Sequence, residues 1–264
     1  ILSDIMEEIY SAILTTAIDK DEALTVYEEV CNDIAKGVAT QKWKDLKNTL
    51  HKAVEKLNTI DIKAPVEKFP KVGLIGEIYV RRDDFSRQYL VERLAERDII
   101  IKTAPVSEWI YYVDYLLKNN ILPGSTFDVR LKTYIQGYFK NYYERAIKEI
   151  FSKSKFYEYH LVDVDRIVNS VSDLISLKLT GETIITVGTA ILEIVEEVSG
   201  IISIGPFGCM PSRMAEAIIK EKIDEKKGKV AIDKKLVDKV METYPNLPFL
   251  SIEADGNPFP QIVE

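Results

Sequence analysis

One stretch, residues 200–218, limits what this chain can fold into more than any other. It reads Gly-Ile-Ile-Ser-Ile-Gly-Pro-Phe-Gly-Cys-Met-Pro-Ser-Arg-Met-Ala-Glu-Ala-Ile. Its apolar start, residues 201–204, reads as a buried parallel strand. Gly205, Pro206 and Gly208 end that strand in a tight turn. Pro211 suits the first turn of a helix, where its missing N–H costs nothing. Met214, Ala215, Ala217, Ile218 and Ile219 then continue at helical spacing. Cys209 therefore stands where a strand hands over to a helix N-terminus. Unpaired N–H groups and the helix dipole favour an anion there, such as a thiolate. Cys209 is a candidate nucleophile, redox thiol or metal ligand. It reads equally well as a small buried residue in a turn, since free cysteines are among the most buried side chains.

The rest of the chain supplies the neighbours such a strand needs. Residues 1–57 read as three helices, the first with a possible Ser3 cap and Ile5, Ile9 and Ile13 on one face. Val26, Val30 and Ile34 mark the second, which also carries Cys31 as packing. Trp43, Leu46, Leu50, Val54 and Leu57 mark the third, with His51 on its polar side. Residues 62–70 hold two prolines and read as a linker. A β-rich run from Lys71 then ends in a loop. Ser86 can cap the following helix, with Tyr89, Leu90, Leu94 and Ala95 inward. Residues 99–103 form the next strand, and Ser107 opens another helix. Strand–helix–strand–helix order implies parallel strands joined by right-handed crossovers. Residues 123–160 interrupt the alternation with an aromatic, basic helical insertion, read as an interface or lid. Helices follow at 162–177 and 187–198, then the central strand, two more helices and a last strand at 247–252. The expected fold is α/β in three layers, a small parallel sheet with helices on both faces. A helical region spans residues 1–62, and the α/β domain spans 71–264 with its insertion at about 123–160.

In a parallel sheet the loops after successive strands open on one edge, where ligands bind. Three loops meet that description. Glu77, Arg81 and Asp84 follow the first strand; Cys209 and Arg213 follow the central one; Glu253, Asp255 and Asn257 follow the last. Gly73 and Gly76 form a weak nucleotide fingerprint whose third glycine is replaced by Tyr79. The net charge of −7 argues against a phosphate-led nucleic-acid surface. No apolar run approaches the roughly 20 residues that span a bilayer, so no membrane partner is expected. Two distant cysteines, Cys31 and Cys209, argue against a disulfide framework and for a cytoplasmic home. Two histidines, His51 and His160, are too few for a histidine-rich metal site. The start at Ile1 reads as that of a fragment.

Three motifs, taken together and in order, carry a resemblance. They are Val-Gly-Leu-Ile-Gly-Glu-Ile-Tyr-Val-Arg from Val72, Gly-Pro-Phe-Gly-Cys-Met-Pro-Ser-Arg from Gly205, and Pro-Phe-Leu-Ser-Ile-Glu-Ala-Asp-Gly-Asn-Pro from Pro248. Over residues 72–264 the chain resembles the 2-hydroxyacyl-CoA dehydratase family and its CoA-substrate-specific enzyme activase relatives. The resemblance implies a flavodoxin/Rossmann-like domain that helps hold an iron–sulfur cluster of the 4Fe–4S kind in an anaerobic, ATP-driven, low-potential electron-transfer system. Cys209 matches the family's ligand cysteine. Gly205, Gly208 and Arg213 would shape the cluster's surroundings, and Glu77, Arg81, Glu253, Asp255 and Asn257 would line the edge. The family's other ligand cysteines sit in upstream motifs that have no counterpart here. The implied partners are upstream domains of the same polypeptide and an ATP-dependent activator or dehydratase subunit. The alternative is a non-redox module that docks a partner or binds an acyl-CoA-like ligand, with no cluster in the isolated fragment.

Overall fold

A computed structural model describes residues 1–256. The chain forms two compact units. The first takes Ile1–Pro70, Val91–Ile101 and Ile135–Leu161, and the second takes Lys71–Leu90, Lys102–Tyr134 and the chain from Val162.

Three helices open the first unit: α1 (Leu2–Thr16), α2 (Lys20–Thr40) and α3 (Trp43–Leu57). Ser3 lies inside α1 rather than capping it, and Asp19 caps α2 by accepting from the Glu22 N–H at 3.0 Å. Their apolar stripes meet as the spacing predicts: Ile5, Ile9, Ile13, Val30, Leu50 and Leu57 are buried together. Ile147, Ile150 and Phe151, from the end of α6 (Phe127–Phe151), complete that core.

The working framework is a sheet of four parallel strands flanked by helices. Its members are β1 (Lys71–Gly76), β2 (Ile100–Thr103), β3 (Ile201–Pro206) and β4 (Phe249–Ala254), in the order β2-β1-β3-β4. β1 pairs with β3 from Gly73↔Ile201 to Gly76↔Ile204, and β3 pairs with β4 from Ile201↔Phe249 to Pro206↔Ala254. β3 is buried from Ile201 to Gly205, Ser203 included, as the central strand of a parallel sheet should be. β4 is the more exposed edge strand. This is the flavodoxin-like order. Its connections reverse direction between β1 and β3, and such a reversal opens a crevice at the strand ends.

The helices of the second unit are α5 (Val106–Lys118), α7 (Val164–Val171), α8 (Glu182–Glu193), α9 (Met210–Val230) and α10 (Lys234–Thr243). Tyr112, Val168, Ile184, Ile191, Ala215 and Ile219 form the heart of its core. Gly188 lets α8 approach α7 closely, since a Cβ there would stand 2.6 Å from the Ile167 carbonyl. Lys227, fully buried on α9, donates to the Leu192 carbonyl at 2.7 Å and pairs with Glu196 at 2.5 Å.

The helix after β1 differs from expectation. α4 (Leu90–Ala95) is only six residues long. Ser86 caps nothing; its hydroxyl and N–H both donate to Asp83, at 2.7 and 2.8 Å. Gln88 and Tyr89 adopt left-handed backbone, with φ of 52° and 54°, which breaks any helix before Leu90. Tyr89, expected inward, is exposed. No helix among the described residues is long and apolar enough to cross a membrane.

Candidate functional site

The carboxyl ends of β1, β3 and β4 carry the expected loops, all within the second unit. Gly76 ends β1 with φ +108°, and a Cβ there would lie 2.0 Å from the Ile204 carbonyl oxygen. Only glycine fits. The next residue continues the ladder, the Glu77 N–H donating to that same carbonyl at 2.9 Å.

Glu77 turns back on its own loop. Its carboxylate accepts from the Tyr79 and Val80 N–H groups at 3.1 and 2.8 Å. Arg81 is buried, 2 % exposed. It donates to the Gly76 carbonyl at 2.7 Å and to the Pro105 carbonyl, just past β2, at 3.3 Å. Arg87, also buried, donates to the Arg81 carbonyl at 3.2 Å and pairs with Asp84. Asp83 is held below the usual carboxylate range by the two hydrogen bonds from Ser86. Two guanidinium groups thus fix the loop after β1, and Arg81 is a bolt beneath the edge rather than a group facing solvent.

Sequence reasoning did not find what lies around that bolt. Glu108, in the first turn of α5, is 2 % exposed and accepts from the Thr189 hydroxyl at 3.0 Å. Burial pushes its carboxyl up to about 7, against the pull of Arg81 and the Thr189 hydrogen bond. Glu182, at the start of α8, is raised by burial and opposed by Arg81. In the sequence Glu108 looks like any acidic residue in a first helical turn. Nothing local reveals the arginine and threonine that meet it.

The head of α9 is built differently. Gly205 backs onto Ser212 so closely that a Cβ would sit 2.3 Å from its hydroxyl oxygen. This contact sets the first turn of α9 against the end of β3. The Phe207 N–H donates to the Ala254 carbonyl at 2.9 Å, and Gly208 takes φ +70°. The Cys209 N–H closes the turn on the Pro206 carbonyl at 3.1 Å. Cys209 is the N-cap of α9 and is partly exposed. Its side chain makes no capping bond, and its carbonyl accepts the first helical bond from Arg213 at 3.0 Å.

Arg213 ties this turn to β4. Its guanidinium meets Glu253 at 3.1 Å and Glu216 at 2.6 Å, and donates to Ser251 at 3.3 Å. Lys220, and after it Arg213, holds Glu216 below the usual carboxylate range. Glu253 also accepts from the Gly208 N–H at 3.4 Å. Gly205, Gly208, Cys209, Arg213 and Glu253 are therefore gathered at one helix head. Glu77 and Arg81 belong to the loop on the other side of the β1–β3 reversal. Asp255 is exposed, and Asn257 lies outside the described residues. Phe207 and Met210, on either side of Cys209, are 74 % and 68 % exposed.

Cys209 is the one thiol among the described residues at this edge. Among the described residues no three His, Cys, Asp or Glu side chains gather so as to hold a metal ion. Cys31 belongs to α2 in the first unit, where burial raises its thiol. His160 lies 3.3 Å from Glu8 and packs against Tyr157. The described residues by themselves do not complete a metal or cluster site. No family model, curated protein or solved structure matches this chain.

Proposed function

We propose that this chain is the part of a 2-hydroxyacyl-CoA dehydratase/activase-like protein that contributes Cys209 as one ligand to an iron–sulfur cluster. The remaining thiolates come from another segment of the polypeptide or from a partner chain. One observation carries the reading: Cys209 stands partly exposed, without a capping bond, at the head of α9 on the ligand-binding edge of a parallel sheet. A bound cluster would supply low-potential one-electron chemistry. The chain's own residues would do three things for it. The free N–H groups in the first turn of α9 would favour an anionic cluster. Gly205 would let the first turn of α9 lie flush on β3, holding the thiol in place. Arg213, held by Glu216, Glu253 and Ser251, would tie the turn that carries the thiol to β4.

The test is iron and acid-labile sulfide on the intact natural polypeptide, purified without oxygen, beside its Cys209→Ser variant. The expected result is iron and sulfide in the wild type and their loss in the variant. Equal iron in both would end this reading. A second reading draws on the exposure of Phe207 and Met210 beside the thiol. On that reading the same edge docks a partner or an acyl-CoA-like ligand without redox chemistry. Iron-free protein that binds coenzyme A in calorimetry, with or without Cys209, would favour it.

A further inference from the structure

The second half of α6 carries two apolar stripes, and the first unit's core takes only one. Ile147, Ile150 and Phe151 are buried. Upstream, Ile135, Tyr138, Phe139, Tyr142 and Tyr143 stand at i, i+3, i+4, i+7 and i+8. That spacing ordinarily marks the side of a helix that faces a core. Here all five are exposed, from 40 % for Tyr143 to 71 % for Tyr138. The rings hold one another edge-on: Tyr138 with Phe139 at 5.7 Å, and Tyr142 with Tyr143 at 5.4 Å. Tyr143 also meets Trp43 at 4.8 Å, nearly perpendicular.

Through Trp43 the aromatic face reaches the first turn of α3. Lys42 and Lys44 flank the indole in the chain, and Lys47 lies 5.7 Å over its ring. Arg145 is exposed just beyond Tyr143. None of Lys42, Lys44, Lys47 and Arg145 has an ion-pair partner among the described residues. The carboxylates nearby are Asp45, exposed in the same turn as Trp43, and Glu144, buried on Lys148 at 2.8 Å. A chain of net charge −7 thus presents here an aromatic surface with mostly positive free charge. Aromatic residues and arginine are what interface cores select, and exposed apolar stripes of this kind mark binding sites.

We propose that this face, from α6 and the start of α3, docks a protein partner through an acidic segment with apolar anchors. Charge complementarity names the occupant. A second copy of the chain set face to face would bring lysine against lysine, and like charges suppress such pairing.

Two fluorescein-labelled helical peptides test it. Both carry one leucine–phenylalanine stripe, with glutamates on the remaining face of one and lysines on that of the other. Fluorescence anisotropy with the full chain should show the glutamate peptide binding at least about tenfold tighter, as complementary charge on an aromatic anchor predicts. Tyr138→Ala with Tyr142→Ala should abolish binding while circular dichroism stays unchanged. Lys42→Glu with Lys44→Glu should reverse the preference. Equal binding of the two peptides, or no binding of either, overturns the proposal. So does a 20-nucleotide oligothymidine or a phosphatidylserine vesicle that binds wild type and is lost with the two tyrosines, or self-association lost with them in sedimentation.

Discussion

Glu108 shows what a single buried group can report. Its carboxyl titrates near 7 in the folded chain, against an ordinary 4.5. Between those values the native state keeps a proton that the unfolded chain has lost. Stability therefore falls as pH rises through that window, and the loss is complete above pH 7. About 2.5 pH units at 1.36 kcal/mol each make the effect about 3 kcal/mol. Glu108→Gln keeps an acceptor for the Thr189 hydroxyl and has no proton to lose. Urea unfolding from pH 4 to 8 should show the variant matching wild type at the acid end and gaining roughly that amount by pH 8. A difference that stays flat with pH would refute the assignment. The sequence could not have shown this group, because Arg81 and Thr189 reach Glu108 from 27 residues before and 81 after. Cys209, by contrast, was legible. Every cue to its position lies within the turn Gly-Pro-Phe-Gly-Cys-Met-Pro itself. For the same reason Arg81 was legible as a loop residue but not as a buried one. Burial is decided by the carbonyls of Gly76 and Pro105, which the local sequence does not display.

Elements divide along similar lines. β3 announced itself through a short, mostly apolar run that includes Ile201, Ile202 and Ile204, and its neighbours through alternation with helices. α4 did not, because the left-handed pair Gln88–Tyr89 leaves no pattern in residue types that ordinarily avoid it. α9 offers the clearest test. Its N-cap is a cysteine that makes no capping bond, and serine is among the preferred residues there. Cys209→Ser should therefore raise the stability of the metal-free chain by about 0.5–1 kcal/mol in thermal or urea unfolding. The same substitution is expected to cost the intact protein its iron. Opposite signs from one change would separate a ligand from a merely structural thiol; destabilisation would mean that the thiol packs more than it caps.

At the scale of the whole molecule, the first unit draws on three separate lengths of chain. Periodicity revealed the helices in each length but not which of them would share a core. Ile147, Ile150 and Phe151 pack with Ile9, Leu50 and Leu57. A chain cut to residues 71–264 keeps the first three and loses the others. That fragment should bind 1-anilinonaphthalene-8-sulfonate strongly and aggregate on warming, whereas the full chain should not. A fragment as soluble and as cooperative as the parent would show that the shared core contributes little.

The same interleaving sets an order of events on the ribosome. α1, α2 and α3 are made well before the stretch that closes their core, which is finished only at residue 161, roughly ninety residues after the linker. At about 5–20 residues per second, the nascent helices wait some 5–20 seconds with part of their apolar surface uncovered. During that interval the young chain is a natural client for a holding chaperone.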